Sequence, residues 1–316
     1  MCGQARVQHA FAREQIRNRK RARKRGKALP PRDDGPTSTN GPPPDSLVHS
    51  PAMRALALDF DGVLCDSARE VFTIAVRTYA RLHPGSAVVE ATLSEPRPED
   101  ASIDLSPAAT YADFRQLMPL GRRSEDFGVA LHAMELGLEL DDQEAWDGFH
   151  RLLAPEWLRA FHLAFYETRD RLRTGDTARW LALYDCYPGL APFLRRAAGH
   201  VALAVVTARD AASVDVLLEH LGISDVIPRR LRLDKETGLQ KTEHLTALSE
   251  RLGVAFPDIT FIDDRVNQLE RVAPLGVRAV LAGWGHNTQR EHARATALGF
   301  PVARLDALDA LLPDGA

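Results

Sequence analysis

The stretch Arg54-Ala-Leu-Ala-Leu-Asp-Phe-Asp-Gly-Val-Leu64 joins a short apolar run to two aspartates and a glycine. Such a run is typical of a buried strand in a parallel sheet, so we expect Asp59 and Asp61 to follow the strand's carboxyl end. Two carboxylates at positions i and i+2 on a sharp turn suit a nucleophile beside a general acid and base. This stretch therefore predicts both the first strand of an α/β fold and the start of a reactive site.

Beyond residue 186, apolar runs alternate with helical patterns. The runs at 200–207, 258–263 and 276–281 predict buried strands, and residues 211–220 predict a helix. This alternation predicts a doubly wound, mainly parallel, Rossmann-like sheet with helices on both faces. Residues 111–185 have a helical pattern, whereas 85–110 contain several prolines and are expected to be irregular. The α/β core is thus interrupted after its first strand by an α-helical domain.

The charge distribution separates an N-terminal arm from the rest of the chain. The net charge is −3, but residues 1–50 hold 11 Lys+Arg against 4 Asp+Glu. Residues 13–27 form a cationic cluster, and prolines and glycines follow it, so we predict that residues 1–52 are disordered. The predicted organisation is then a core of residues 53–70 plus 186–316 and a helical cap of residues 71–185.

The overall composition excludes several classes of protein. Charges of both signs nearly balance and 45% of the residues are hydrophobic, which excludes a polycation or a fully disordered chain. No apolar run reaches the roughly 18 to 20 residues of a membrane span. The three cysteines are far apart and odd in number, which favours a reducing compartment and a cytoplasmic location.

Three further polar positions fall where strands end or helices begin. Thr207 lies at the end of the strand at 201–206, and its hydroxyl suits a transferring phosphoryl oxygen. Lys241 opens a helix and can neutralise phosphate and carboxylate charge; Lys235, six residues earlier, is a rival for that position. The pair Asp263-Asp264 ends another strand. Since the carboxyl ends of parallel strands meet at one sheet edge, these acids and Asp59 predict an oxygen-rich site suited to Mg²⁺.

The ordered set of these motifs resembles the haloacid dehalogenase superfamily, most of whose members are phosphatases with an aspartate nucleophile. The resemblance covers about residues 53–70 and 186–285, and Tyr187-Pro-Gly-Leu190 looks like a segment of phosphoglycolate phosphatase-like members. The insertion corresponds to the family's helical cap of the first type. The residues that match the four family motifs in order are Asp59 and Asp61, Thr207, Lys241, and Asp263 with Asp264.

The resemblance implies a two-step phosphoryl transfer. Asp59 would form an aspartyl-phosphate, while Asp61 would protonate the leaving oxygen and then deprotonate the attacking water. Thr207 and Lys241 would bind the phosphoryl group. Mg²⁺ would be held by the Asp59 carboxylate, the Asp61 carbonyl and Asp264, with Asp263 close by. Because a halide leaving group needs no acid and an alkoxide does, the presence of Asp61 favours phosphate-ester hydrolysis.

The expected substrate is a small phosphorylated metabolite. Arg209, two residues after Thr207, lies where family members often carry a cation near the substrate; a solvated helix-start residue is the alternative. Gly121-Arg122-Arg123 in the cap could present a guanidinium, in particular that of Arg122, to an anionic substrate tail. A solvated loop explains those arginines equally well.

Two other functions fit the same residues. A phosphomutase would share the aspartyl-phosphate but pass it to a sugar hydroxyl. A catalytically silent protein of this fold could bind nucleic acid through residues 13–27; otherwise no nucleic-acid or membrane partner is expected. The complete set of motif residues argues against the silent binding protein, whereas the choice between hydrolase and phosphomutase stays open.

Overall fold

The computed structural model describes residues 54–94 and 103–312. The prediction that residues 1–52 form a disordered arm lies outside these ranges and stays a prediction, as does the division into domains that depends on it. Within the described ranges, no helix combines the length and the apolar character that crossing a membrane requires.

Six parallel strands form the central sheet, in the order β5-β4-β1-β6-β7-β8. In β1, Leu58 pairs with Val205 of β4 on one side and with Ile262 of β6 on the other, so the three central strands end within one residue of each other. The next residues of all three therefore meet at one edge. In chain order the strands are β1 Ala55–Leu58, β2 Cys65–Asp66, β3 Asp185–Cys186, β4 Ala202–Val206, β5 Arg232–Leu233, β6 Ile259–Asp263, β7 Arg278–Ala282 and β8 Val302–Ala303.

Helices cover both faces of this sheet. In β1, Leu56 and Leu58 belong to an apolar cluster on one face, and Ala55 and Ala57 belong to a second cluster on the other. All four are buried, as expected for a strand without a solvent face. The prediction of a doubly wound, mainly parallel sheet is confirmed. The helices of this part are α8 Leu190–Ala197, α9 Ala211–His220, α10 Lys241–Leu252, α11 Val266–Val272 and α12 Gln289–Ala297.

The chain between β2 and β3, residues 67–184, is a helical insertion that we call the insert. Its helices pack around their own apolar cluster, in which Phe72, Phe114, Phe161 and Phe165 are fully buried. The predicted helical insertion after the first strand is thus confirmed. Its helices are α1 Ala68–Leu82, α2 Ala87–Ser94, α3 Thr110–Leu117, α4 Ser124–Glu135, α5 Gln143–His150, α6 Pro155–Gly175 and α7 Thr177–Leu181.

Helix α2 contradicts the prediction that residues 85–110 are irregular throughout. Its first turn is held by the Glu135 carboxylate, which accepts hydrogen bonds from the Ser86 hydroxyl and from the backbone N–H groups of Ala87 and Val88. A carboxylate at a helix start satisfies N–H groups that the helix itself leaves unpaired. Because Glu135 lies far along the chain, the local sequence carried no sign of this cap.

The insert leaves and rejoins the core through a short antiparallel pair of strands. Cys65 lies opposite Cys186, and Asp66 lies opposite Asp185. Both of these cysteines are free thiols, and Cys2 lies outside the described residues. The two connections between insert and core are therefore adjacent.

Candidate active site

The loop after β1 holds Asp59 and Asp61 at the edge where the central strands end. The Asp59 backbone N–H donates to the Ile262 carbonyl at 2.9 Å, and one Asp59 carboxylate oxygen accepts from the Phe60 N–H at 2.6 Å. The turn continues through Gly62, whose φ of +79° favours glycine. A Cβ at Gly62 would come within 2.0 Å of Asp264 Oδ2, so the glycine also permits the close approach of that carboxylate.

Lys241 lies among the acidic residues of this edge. Its Nζ is 2.6 Å from Asp59 Oδ1 and 3.6 Å from Asp263 Oδ2, and it donates to the Val206 carbonyl at 2.5 Å. Burial alone would lower the pKa of Lys241, but the carboxylates of Asp59 and Asp263 outweigh it and raise that pKa. Lys241 is thus a buried, charged group in contact with Asp59.

The first turn of α10 fixes this position. The Glu243 carboxylate accepts from the backbone N–H groups of Leu239 and Gln240, which sets the helix start at Lys241. The rival Lys235 is directed elsewhere, with its Nζ 6.0 Å from the ring centroid of Tyr166 in the insert. Of the two lysines that the sequence offered, Lys241 is the one that the fold brings to the acidic cluster.

Three carboxylates form a site that could hold a metal ion. One oxygen each of Asp59, Asp263 and Asp264 lie within 4.8 Å of one another. Burial and the Asp59 charge raise the pKa of Asp263, and burial raises the pKa of Asp264. Asp263 Oδ2 is buried and has no hydrogen-bond partner among the described residues. Crowded carboxylate oxygens with an unsatisfied acceptor fit a hard divalent cation such as Mg²⁺.

The loop after β7 orients Asp264. The His286 backbone N–H donates to Asp264 Oδ2 at 2.8 Å, and the His286 ring nitrogen Nε2 lies 3.1 Å from Asp66 Oδ1. Burial opposes ionisation of Asp66, but His286 outweighs it and lowers the Asp66 pKa to about 2. Sequence reasoning missed His286, although a Gly-Trp-Gly-His turn after a strand ending at the same edge was the available signal.

Thr207 follows β4 next to the Asp59 loop. Its N–H donates to the Leu233 carbonyl at 2.9 Å, and its hydroxyl oxygen accepts from the Arg209 N–H at 3.2 Å. The side chain is buried, with 2% of the residue exposed. The turn from Thr207 to Arg209 is therefore fixed by the hydroxyl itself.

Arg209 binds Asp61 through two hydrogen bonds. Its Nε and Nη2 atoms donate to the two Asp61 carboxylate oxygens at 2.7 and 2.6 Å. Burial would raise the pKa of Asp61, but the Arg209 guanidinium outweighs it and holds that pKa well below its usual range. Arg209 also donates to the Tyr184 hydroxyl at 3.2 Å. Arg209 is buried, so the alternative of a solvated residue is wrong.

The segment of Arg122 reaches this edge, but the Arg122 side chain does not contact the acidic residues. The Arg265 guanidinium donates to the Gly121 carbonyl, and the Arg122 N–H donates to Asp126 Oδ2 at 2.6 Å. The Arg122 side chain is exposed and has no ion pair with any residue in the described ranges. The structure therefore brings together every other predicted site residue and leaves Arg122 at the surface.

A cavity of about 230 Å³ lies between α3 of the insert and the loop after β7. Arg115 contributes the positive charge in its wall, and His286 links it to Asp264 and Asp66. The cavity thus adjoins the acidic cluster through one side chain. Its lining residues are Ala112, Arg115, Gln116, Met118, His286, Asn287 and Thr288.

The family model of the haloacid dehalogenase-like hydrolases matches residues 53–270. No curated protein matches the chain. The matched region contains all the predicted catalytic and metal-binding residues.

Solved structures with the same fold include three bacterial proteins. A haloacid dehalogenase-like family hydrolase from Streptococcus pneumoniae is 13% identical, covers 82% of this chain and 98% of its own, and has a TM-score of 0.53. A predicted phosphoglycolate phosphatase from Haemophilus somnus is 16% identical, with coverages of 83% and 98% and a TM-score of 0.53. Protein Tyrosine Kinase A from Mycobacterium tuberculosis is 19% identical, with coverages of 84% and 99% and a TM-score of 0.51. At these identities the likeness establishes the fold.

Proposed function

Since the chain belongs to the haloacid dehalogenase-like hydrolases, we propose that it is a Mg²⁺-dependent phosphomonoester hydrolase that forms an aspartyl-phosphate on Asp59. The observation that carries this proposal is the contact of the buried Lys241 with Asp59, at 2.6 Å, beside the carboxylates of Asp263 and Asp264. A phosphoryl group transferred here would contact both the Asp59 carboxylate, as nucleophile, and the positively charged Lys241. Phosphoryl transfer depends mainly on such alignment and charge neutralisation.

In the first step, the Asp59 carboxylate attacks phosphorus and the bond from phosphorus to the leaving oxygen breaks. Lys241 and the Phe60 N–H both contact Asp59 Oδ1, so the carboxylate is held in one orientation. The Thr207 hydroxyl and the Lys241 ammonium group would bind the phosphoryl oxygens. The carboxylates of Asp59 and Asp264 and the Asp61 carbonyl would hold Mg²⁺, which supplies further charge neutralisation when bound.

Asp61 serves both the formation and the hydrolysis of the aspartyl-phosphate through a change in its hydrogen bonding to Arg209. In its bidentate pair with Arg209, Asp61 is ionised, which is the form that deprotonates the water attacking the aspartyl-phosphate. Protonation of the leaving oxygen requires the neutral acid. We infer that an incoming phosphoryl group takes over one of the two Arg209 N–H groups while the other stays on Asp61, because the guanidinium binds phosphate oxygens as it binds a carboxylate. Asp61 can then carry the proton of the first step.

The bound substrate is expected to be a small phosphorylated metabolite. The cavity beside His286 could take its non-phosphate part. A general acid at Asp61 suits an alkoxide leaving group, which a carbon–halogen substrate does not have.

The test is a screen of phosphorylated metabolites and p-nitrophenyl phosphate with Mg²⁺, in which released inorganic phosphate is measured. Wild-type protein should release phosphate, and an Asp59→Asn variant with an unchanged circular dichroism spectrum should not. Removal of Mg²⁺ with a chelator should abolish the release, and added Mg²⁺ should restore it.

The other outcomes separate the competing functions. Stimulation by a sugar bisphosphate without release of phosphate would identify a phosphomutase. If no substrate releases phosphate, including p-nitrophenyl phosphate, the hydrolase proposal is wrong.

A further inference from the structure

A chain of buried contacts runs from Asp61 to the longest helix of the insert. Arg209 binds Asp61 and donates to the Tyr184 hydroxyl, and the Tyr184 ring meets the Trp180 indole edge-on, with 5.1 Å between ring centroids. The contacts continue through Glu70 to Arg169. We call this set the buried network. Its four middle members are buried, whereas Asp61 and Arg169 at its two ends are partly exposed. Its members are, in order, Asp61, Arg209, Tyr184, Trp180, Glu70 and Arg169.

The far end of the buried network joins α1, α6 and α7. The Trp180 Nε1–H donates to Glu70 Oε1 at 3.2 Å. Arg169 of α6 donates to both Glu70 oxygens, from Nε at 2.7 Å and from Nη2 at 2.8 Å. Glu70 is fully buried, with 0% of the residue exposed. The position of α6 is thus connected by direct contacts to the guanidinium that binds Asp61.

Stability alone is a weak explanation for this arrangement. Burying an ion pair costs desolvation energy that the attraction often only repays, and apolar residues of similar size commonly serve stability as well. A planar guanidinium on a carboxylate instead fixes orientation, because both hydrogen bonds hold only in one relative geometry. The buried network contains two such pairs, Arg209 with Asp61 and Arg169 with Glu70.

The charges at the two ends also influence each other. Burial raises and Arg209 lowers the pKa of Asp61, and Arg169 lowers it further. Burial lowers and Asp61 raises the pKa of Arg209, and Glu70 adds to the rise. The two ion pairs of the network therefore act on each other across the neutral side chains of Tyr184 and Trp180.

We propose that Glu70 and Arg169 are positioning residues that hold Tyr184 and Arg209 and so set the orientation of Asp61. Through them, the placement of the insert's α6 determines how Asp61 meets the leaving oxygen of the substrate. This inference rests on the proposed function, since it assigns to Glu70 and Arg169 a part in the step that Asp61 performs. Neither residue touches substrate in this arrangement.

The experiment compares two leaving groups in purified full-length variants. Glu70→Gln and Arg169→Met should reduce kcat for an alkyl phosphate about tenfold more than kcat for p-nitrophenyl phosphate, because nitrophenolate leaves without protonation and a misplaced acid costs it little. The KM values should change little. Arg169→Lys keeps the charge and one hydrogen bond, so it should restore part of the alkyl phosphate activity that Arg169→Met loses.

The matched control is Asp215→Asn. Asp215 also binds two arginines, with 2.6 Å to Arg232 Nη1 and a further contact to Arg229, but it joins α9 to β5 outside the buried network. Loss of these ion pairs should lower the stability of the protein without changing the ratio of kcat for the alkyl phosphate to kcat for p-nitrophenyl phosphate. If Glu70→Gln fails to fold, the Arg169→Lys and Arg169→Met pair carries the same comparison.

Crystal structures of the variants give a readout independent of activity. In Glu70→Gln or Arg169→Met, the two hydrogen bonds from Arg209 to Asp61 should be lost or rearranged, whereas Asp215→Asn should retain both. Folded variants with unchanged activity ratios and an unchanged Arg209–Asp61 pair would overturn the inference. If wild-type protein hydrolyses neither phosphate, the proposed function fails, and the crystal structures alone decide the positioning role.

Discussion

Replacing Gly62 with alanine should damage both the stability and the site, for two reasons that can be separated. The left-handed φ of +79° costs an alanine about 1–2 kcal/mol. The new Cβ would also lie 2.0 Å from Asp264 Oδ2 and 3.0 Å from His286 Nδ1. Because Asp264 is buried and held by the His286 N–H, it cannot turn away freely, and such overpacking costs about 1–3 kcal/mol more.

Gly85→Ala is the matched control. Gly85 has the same φ of +79°, but a Cβ there would meet no atom of the described residues within 4 Å. The free energy of unfolding, measured by guanidinium denaturation, should therefore fall by about 1–2 kcal/mol in Gly85→Ala and by roughly 2–5 kcal/mol in Gly62→Ala. The difference between the two variants measures the contact with Asp264.

Phosphate release supplies the second assay. Displacement of Asp264 by about an ångström should lower turnover roughly a hundredfold in Gly62→Ala and leave Gly85→Ala near wild type. Equal losses of stability in the two variants would refute the reasoning, because the backbone conformation would then account for the whole effect. Normal turnover in a destabilised Gly62→Ala variant would show that the Asp264 position does not matter for activity.

Three further predictions concern single side chains. Asp61→Asn should lower turnover of an alkyl phosphate by about 10²- to 10⁴-fold, and full activity in a steady-state assay would contradict its acid–base role. Lys241→Ala should lower phosphate release by about 10²- to 10³-fold while Lys235→Ala stays near wild type; the reverse result would exchange their roles. The Asp126 carboxylate, 3.0 Å from His150 Nε2, raises the pKa of His150 above 6.5. The resulting stabilisation is complete below about pH 6.5 and is lost as pH rises through the folded-state pKa of His150. The difference in unfolding free energy between wild type and His150→Gln, measured in denaturation curves, should therefore shrink with rising pH. A difference that stays constant with pH would exclude the His150 charge as its source.

Four of the six strands of the sheet, β1, β4, β6 and β7, could be predicted because their signal is local; the two-residue edge strands β5 and β8 were not predicted. Leu56, Leu58 and the apolar runs of the later strands are buried on both faces, so the sequence pattern and the burial coincide. The edge at which Asp59, Thr207 and Asp263 meet then follows from parallel topology alone. The observed strand ends differ from the predicted ones by one or two residues, because hydrogen bonding to the neighbouring strands, and not composition, sets where a strand ends.

The pairings between side chains could not be predicted, because they join residues far apart in the chain. Arg209 follows Asp61 by 148 residues, and the sequence left open whether it is solvated or near the substrate. Glu135 caps α2 from 48 residues away, so a segment rich in nearby prolines and glycines still forms a helix. Glu70 occupies an ordinary helix position, and only the packing of α1 against α6 and α7 makes it a buried acceptor.

The pairing of β2 with β3 makes the insert exchangeable in principle. Because Asp66 and Asp185 are neighbours, a short turn between them would convert the two strands into a hairpin and close the core without residues 67–184. By the same geometry, a helical unit of another size can be grafted there without stretching the sheet, since loop-closure entropy grows only slowly with length. A core shortened in this way would keep the contact of Lys241 with Asp59, which both belong to it. It would lose Glu70 and Tyr184, and with them the support of Arg209.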